Sequence, residues 1–197
     1  MFILYKMKIV CISKHNGTIE LHLKPDTAML INNKPLFIPD FTNDLRSLPC
    51  LILRISRLGR NIAARFGARY FDATTVGLDF RAYDRLNEAR TNRQSLSPWV
   101  AFDGSLALGN WQPVGNGIVN DIELRLNGSA VWQSRSSNWV CRPDEAIALA
   151  SSYFKLAQGD WIAIAADTQP QQLEINDHIE IVSTTEENTN LLRMNIK

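Results

Sequence analysis

The 197 residues are 45% hydrophobic and 21% charged, which is typical of one globular domain over residues 1–197 with a substantial core. The formal net charge of +1 gives no electrostatic basis for binding nucleic acid or an anionic membrane surface. No run of residues approaches the roughly eighteen apolar residues that a membrane-spanning helix needs.

The three cysteines, Cys11, Cys50 and Cys141, are widely spaced, and none belongs to a CxxC motif. An odd number of scattered cysteines predicts reduced thiols and a cytoplasmic location. The apolar N-terminus lacks a basic segment and a small-residue cleavage site, so a signal peptide is not expected. Residues 1–6 are interpreted as an N-terminal extension, with Met7 as a second candidate start.

The first half of the chain predicts mainly strands. Apolar, largely branched residues indicate strands at 8–13 and 49–56, and β-branched residues open another at 73–83. Between them, segment 61–71 has apolar residues at every fourth position and predicts a helix. The polar segment 84–98 predicts a mobile loop.

The second half predicts a hairpin, a helix and two more strands. The hairpin spans 121–135 around Asn127-Gly128, the favoured two-residue turn. The helix at 142–156 opens with a proline and two acids, and strands follow at 161–167 and 178–184. The resulting fold class is α+β, mostly β, with two helices in one domain.

Familiar catalytic motifs are missing. The glycines of 115–120 lie in a predicted turn rather than between a strand and a helix, so they do not form a phosphate-binding loop, and there is no GxSxG elbow. His15, His22 and His178 are scattered and are more typical of surface or edge-strand residues than of ligands or bases.

One acid stands out. Asp79 lies in the middle of the predicted strand 73–83, and Arg81 is on the same face, because side chains two positions apart in a strand point the same way. An acid inside an apolar strand needs a partner, since a buried unpaired charge is very unfavourable.

Six segments, in order, resemble the fumarylacetoacetate hydrolase family, and specifically its short single-domain bacterial members. The matching segments are MKIVCIS (7–13), LKPDTAMLINNKPLFIPDF (23–41), RLGRNIAARFGARYFDATTVGLDFRA (57–82), WVAFDGSLALG (99–109), LRLNGSAVWQ (124–133) and AIALASSYFKLAQGDWI (146–162). The resemblance implies a mixed β-sandwich roll or barrel, as in the C-terminal domain of fumarylacetoacetate hydrolase, with two or three short helices. It also implies a homodimer and a magnesium or manganese ion that stabilises an enolate during cleavage, decarboxylation or isomerisation of β-diketo or oxaloacetate-like acids.

The resemblance also identifies which site positions differ. The family's histidine and two glutamate ligands, H-x-E-x-E, fall on Arg46, Leu48 and Cys50, and the family's lysine falls on Val100. The third metal ligand of the family matches Asp79, the only one retained.

Several substrate-binding segments of the family also differ here. The arginine after the third ligand is Tyr83, the glycine-threonine-proline turn reads Ala165-Ala166-Asp167, and the N-terminal arginine-asparagine-tyrosine motif reads Lys14-His15-Asn16. The lid, which carries an acid/base pair in the family, is cut short before Lys24. Lys24 and Gln133 match family positions near the pocket and, with Arg81, are the candidate substrate-binding residues.

Two hypotheses explain how Asp79 is compensated. In the first, a guanidinium from Arg81 or Arg46 stands where the metal stands in the family. In the second, zinc replaces magnesium and is bound by Cys50, Asp79 and a histidine. The first hypothesis is favoured, and no cofactor is then expected.

The predicted function is a pseudoenzyme that has lost metal-dependent catalysis and binds a small keto or dicarboxylic acid. One alternative is a divergent hydrolase, decarboxylase or isomerase in which Arg46, Arg81 and Lys14 bind a carboxylate substrate and His15 acts as base. Another is a pure binding protein for a small dicarboxylate.

Overall fold

A computed structural model describes residues 7–31, 34–116, 118, 121–134, 138–185 and 190–197. The strands are β1 (Ile9–His15), β2 (Thr18–Lys24), β3 (Met29–Leu30), β4 (Leu45–Ile55), β5 (Phe71–Ala82), β6 (Leu106–Leu108), β7 (Gln112–Pro113), β8 (Ile122–Leu126), β9 (Ser129–Gln133), β10 (Trp161–Ala165), β11 (Gln171–Gln172), β12 (His178–Ser183) and β13 (Asn190–Asn195). The α-helices are α1 (Tyr83–Thr91), α2 (Ser97–Val100) and α3 (Pro143–Tyr153).

The first sheet forms a roll. Its strand order is β2-β1-β10-β4-β5-β6-β3, with β11 paired to β4 and β7 to β5. The two outermost strands, β2 and β3, are consecutive in the chain and are joined only by residues 25–28. The two edges of the sheet must therefore come close together, although the described strands do not close into a barrel, since no β2–β3 pairing is present among them.

The second sheet, β13-β12-β8-β9, is antiparallel and contains the predicted hairpin, with Asn127 and Gly128 both at positive φ. Helix α3 begins with a capping interaction in which Glu145 accepts a hydrogen bond from the Arg142 backbone N–H.

Both faces of the first sheet are buried. Leu51, Leu53, Leu78 and Phe80, among others, belong to a large apolar core. The opposite face carries a smaller apolar cluster that includes Cys50. The inside of the roll can therefore hold polar side chains only if they satisfy one another.

The structure bears out the predicted mostly-β class and corrects two local predictions. Segment 84–98 is not a loop: α1 covers its start and α2 its end, and α1 buries Leu86 and Ala89. Segment 61–71 forms only a 3-10 helix at Ala64–Arg69, and β5 begins at Phe71. Residues 1–6, the proposed extension, lie outside the described residues.

None of the helices in the described part of the chain is long and apolar enough to cross a membrane. Cys11, Cys50 and Cys141 all have free thiols.

Candidate functional site

The register of β4 and β5 brings together the three positions that correspond to the family's metal ligands. Leu48 is directly opposite Asp79, and Cys50 is opposite Gly77, two residues along both strands. Because alternate side chains share a face, Leu48, Cys50 and Asp79 point into the inside of the roll. Asp79 is only 2% exposed there.

Arg81 is the first counter-ion of Asp79. Its Nε and Nη2 both donate to Asp79 Oδ2, at 3.0 and 2.6 Å, and the arginine is itself buried. The ion pair that the sequence suggested between these two residues is present. Two charge-assisted hydrogen bonds to one oxygen hold the guanidinium firmly against the carboxylate.

Lys24 is the second counter-ion, and the sequence did not indicate this contact. From the end of β2, its Nζ reaches across the roll to 2.7 Å from Asp79 Oδ1. The same ammonium donates hydrogen bonds to Val100 O, Ser105 O and Ser105 Oγ. Its three N–H groups are thus used on these oxygens, and the contact with Asp79 adds an ion pair to them.

These two cations determine the ionisation of Asp79. Burial alone would raise the pKa of the Asp79 carboxyl, but the charges of Arg81 and then Lys24 outweigh it, and the pKa lies below its usual range. The pKa of Arg81 is raised, because its attraction to Asp79 outweighs the opposing effect of burial. Asp79 is therefore a carboxylate that is fully committed to protein cations.

His22 completes this group, which we call the Asp79 cluster: His22, Lys24, Asp79 and Arg81. Its Nε2 lies 4.0 Å from Asp79 Oδ2 and has no hydrogen-bond partner in the described part of the chain. Burial lowers the pKa of His22 to about 3, so the ring is neutral at physiological pH.

Arg46, the other counter-ion candidate, is not in the Asp79 cluster. Its Nε and Nη2 donate to the two oxygens of Asp44, at 2.8 Å each, and its guanidinium lies 4.2 Å from the ring centre of Tyr83. Asp44 captures Arg46 because it precedes β4 by one residue and is closer than Asp79. The proposal of Arg46 as counter-ion was therefore wrong.

A pocket of about 530 Å³ opens beside the cluster, and we call it the Asp79 pocket. It brings together the Lys14-His15-Asn16 segment and the segment that follows Ala165, both of which correspond to substrate-binding segments of the family. Its wall consists of Lys14, His15, Asn16, Gly17, Leu48, Arg81, Tyr83, Arg90, Ala166, Asp167, Thr168, Gln169 and Pro170.

The β1–β2 connection explains the missing lid. Strand β1 ends at His15 and β2 begins at Thr18, so only Asn16 and Gly17 join them, both at positive φ. A turn of this length is too short to fold over the pocket as a lid. Beside this turn, Lys14 Nζ donates to Asp167 Oδ2 at 2.7 Å.

The residues at the three ligand positions do not fit a divalent metal ion. Leu48 has no donor atom, and both oxygens of Asp79 face protein cations. Burial raises the pKa of the Cys50 thiol well above its ordinary value, which disfavours the thiolate that binds metals. Within the described residues no group of three or more histidine, cysteine, aspartate or glutamate side chains is arranged to hold a metal, so the proposed zinc set is not assembled.

The remaining predicted residues lie apart from the pocket wall or act through the backbone. Gln133 is exposed at the end of β9, in the second sheet, and Val100 contributes its carbonyl oxygen to Lys24. The sequence carried only an ambiguous signal for His22 and Lys24, because in β2 they alternate, with Glu20, with leucines. Such alternation normally indicates a solvent-facing polar side, and here the roll turns that side inward.

Comparisons with known proteins identify the family and the fold. The family model for the C-terminal region of fumarylacetoacetate hydrolase matches residues 8–189. The mitochondrial oxaloacetate tautomerase fahd-1 of Caenorhabditis elegans is 24% identical over 201 residues, which cover 92% of each chain.

Solved structures share the fold. A fumarylacetoacetate hydrolase family protein from Yersinia pestis CO92 superposes with a TM-score of 0.87 at 21% identity, covering 100% of this chain and 95% of its own. Fumarylpyruvate hydrolase from Pseudomonas aeruginosa, in complex with Mn²⁺ and pyruvate, superposes with a TM-score of 0.83 at 16% identity, covering 97% and 89%. Because the family model spans nearly the whole chain, this protein belongs to the fumarylacetoacetate hydrolase family.

Proposed function

We propose that this protein is a family member that has lost the metal-dependent reaction and uses the Asp79 pocket to bind a small carboxylic acid. The proposal rests on the two counter-ions of Asp79: Lys24 Nζ lies 2.7 Å from one carboxylate oxygen, and Arg81 Nη2 lies 2.6 Å from the other. In this chain two protein cations take the place that a metal ion would need.

Electrostatics supports this reading. A divalent cation approaching Asp79 would be repelled by Lys24 and Arg81, both of which are almost fully buried and therefore poorly screened. It would find no carboxylate at Leu48 or Cys50 to offset that repulsion. Magnesium and manganese favour several oxygen ligands, and one shared carboxylate does not supply them.

The pocket supports ligand binding rather than complete loss of function. The Asp79 pocket keeps about 530 Å³ of space, enough for a small organic acid, and Arg81 and Arg90 contribute to its wall. The two-residue turn at Asn16-Gly17 leaves the pocket open, which suits reversible binding more than a reaction that requires exclusion of water.

A metal-independent enzyme is the second candidate, and one observation favours it. Lys14, His15 and Arg81, three of the four residues that this alternative requires, line the same pocket. The fourth, Arg46, is held by Asp44 instead. In this version Arg81 and Lys14 would orient a carboxylate and His15 would move a proton.

Metal binding is the first test. The protein is incubated with Mn²⁺, desalted and examined for bound metal, and Asp79→Asn serves as the matched variant because it keeps the side-chain shape. The fumarylpyruvate hydrolase of P. aeruginosa is the positive control. We expect no stoichiometric Mn²⁺ in either form of this protein. About one Mn²⁺ per chain that disappears in Asp79→Asn would overturn the proposal.

Turnover is the second test. Oxaloacetate and fumarylpyruvate are offered with Mn²⁺ and, separately, with EDTA. We expect no turnover in either condition. Turnover that requires Mn²⁺ would refute the proposal, and turnover that persists in EDTA and falls in Arg81→Met would establish the second candidate in its place.

A further inference from the structure

We propose that the inner end of the Asp79 pocket binds a single carboxylate group between Arg81 and Arg90, and that the pocket therefore selects monocarboxylic over dicarboxylic acids. The inference deepens the proposed function and rests on it, because it requires that no metal ion occupies the site to chelate the ligand. Arg81 lies in β5 and Arg90 in α1.

The first support is an excess of buried positive charge. Lys24 and Arg81 carry two positive charges, and Asp79 offers only one negative charge to them. The adjacent Arg90–Glu20 ion pair does not balance the excess positive charge, because its own two charges cancel, with Arg90 Nη2 2.6 Å from Glu20 Oε2. One positive charge is left over in a low-dielectric region, where an incoming anion gains more than it would in water.

The second support is the set of donors that remain. Arg81 uses Nε and Nη2 on Asp79, and no hydrogen bond from its Nη1 is present within the described residues. Arg90 uses Nη2 on Glu20, and its Nε is buried and has no hydrogen-bond partner among the same residues. Buried polar groups are normally paired, so an unpaired guanidinium nitrogen indicates a missing acceptor. Both arginines line the same pocket, and a carboxylate matches guanidinium geometry.

The third support is the rest of the pocket wall, which limits the ligand to one negative charge. Lys14 is already paired with Asp167 at 2.7 Å, and both lie on the wall. Because these two charges cancel, the pair offers no net positive charge to a second acidic group of the ligand. Tyr83, Thr168 and Gln169 offer polar but uncharged groups, which suit a carbonyl or hydroxyl.

Lys24 contributes positive charge to the site but does not contact the ligand. It is 1% exposed and does not line the pocket, and its N–H groups are used on Val100 and Ser105. The inferred binding is therefore non-covalent, with no Schiff base at this lysine.

A matched pair of ligands tests the charge selectivity. We would titrate 2-oxopentanoate and 2-oxoglutarate, which share a five-carbon 2-oxo skeleton and differ by one carboxylate, using calorimetry at pH 8 in EDTA. The expected result is saturable binding of one 2-oxopentanoate per chain, with 2-oxoglutarate at least about tenfold weaker. Equal or tighter binding of 2-oxoglutarate, or no saturable binding of either acid, would overturn the inference.

Arginine variants test the location. Arg90→Met and Arg81→Met are each expected to weaken 2-oxopentanoate binding by about tenfold to a hundredfold, the range for a lost charge-assisted hydrogen bond. Arg54→Met is the control, since Arg54 pairs with Asp72 on the surface, 42% exposed and away from this pocket. Unchanged affinity in Arg90→Met would overturn the inference, and this variant decides alone if Arg81→Met does not fold.

Working in EDTA separates the two proposals. Manganese-dependent turnover would refute the loss of catalysis, whereas the calorimetric selectivity is measured without metal and is judged independently of it. Loss of selectivity with no metal binding would remove only the single-carboxylate site.

Discussion

The two faces of the β4–β5 ladder are both buried, one by apolar packing and the other by paired charges. On one face Leu51, Leu53, Leu78 and Phe80 pack into the main core, and nothing but volume is required of them. On the other face Asp79 and its partners are buried just as deeply, with Asp79 2% exposed and Leu78 0%. The apolar face tolerates other apolar side chains of similar volume, whereas the charged face depends on every member being present.

This difference explains how Asp79 stays buried where positions 48 and 50 carry no carboxylate. When the carboxylates at positions 48 and 50 are absent, an unaccompanied Asp79 would be a buried charge. Lys24 reaches it from β2 and Arg81 from its own strand, so the roll stays joined across its interior.

The largest effect is expected from Asp79→Ala, compared with Leu78→Ala on the opposite face. Removing Asp79 leaves two buried cations without their counter-ion and should lower the free energy of unfolding by about 3–5 kcal/mol. Leu78→Ala should lower it by a similar amount, about 2–5 kcal/mol, through a cavity. Urea denaturation measures both.

A triple variant distinguishes the two causes. Combining Lys24→Met, Asp79→Leu and Arg81→Met replaces the ion cluster with apolar groups, which is often close to neutral. It should recover at least half of the stability lost in Asp79→Ala, although the carbonyls of Val100 and Ser105 lose a donor. A triple variant less stable than Asp79→Ala would show that the cluster is not governed by charge balance.

The next effect is a dependence of stability on pH that comes from His22. Its pKa is about 3 in the folded state, against about 6.5 in the unfolded chain. The unfolded chain therefore takes up a proton first, and the free energy of unfolding falls as the pH is lowered from 6.5 towards 3. We expect a loss of about 2–3 kcal/mol between pH 7 and pH 4 that is absent in His22→Gln.

Asp79 affects a lower pH range. Its folded pKa lies below the unfolded value of about 3.9, so its contribution is fully present above that value and is lost as the pH falls through the folded pKa. A slope between pH 6.5 and pH 4 that persists in His22→Gln would assign the effect to other groups.

The sequence predicted four strands of the roll, β1, β4, β5 and β10, together with the Asn127-Gly128 hairpin and α3, because each depends on local periodicity and turn chemistry. It also proposed Arg81, two residues along the same strand, as one of two candidate counter-ions of Asp79, and the structure selects Arg81 over Arg46. It could not predict that Lys24 and His22 approach Asp79, since β2 and β5 are separated by three strands and meet only because the sheet curls. Segment 84–98 was mistaken for a loop because its helix buries just Leu86 and Ala89 beneath a polar surface.

A smaller effect is expected at Gly77, beside the ligand positions on the charged face. A Cβ at this residue would lie 2.6 Å from Ala107 O and 2.7 Å from Ile52 Cδ1. The carbonyl belongs to the paired strand β6 and cannot move freely, so Gly77→Ala should lower the free energy of unfolding by about 2 kcal/mol. Gly128→Ala, in a turn with open space around it, is a control for backbone strain without this clash. Equal losses in both variants would contradict a packing constraint at position 77.

The smallest effect is expected from Arg46→Ala, the arginine that does not join the Asp79 cluster. Its side chain is 30% exposed, so solvent screens its ion pair with Asp44. The guanidinium also lies over the Tyr83 ring. The variant should lose at most about 1 kcal/mol in urea denaturation and keep the affinity for 2-oxopentanoate, since Arg46 is absent from the pocket wall. Arg81→Ala is the matched comparison, because Arg81 lies directly opposite Arg46 in the β4–β5 ladder and is buried. Equal losses of stability in the two variants would contradict the distinction drawn between Arg46, which is partly exposed, and Arg81, which is a buried counter-ion.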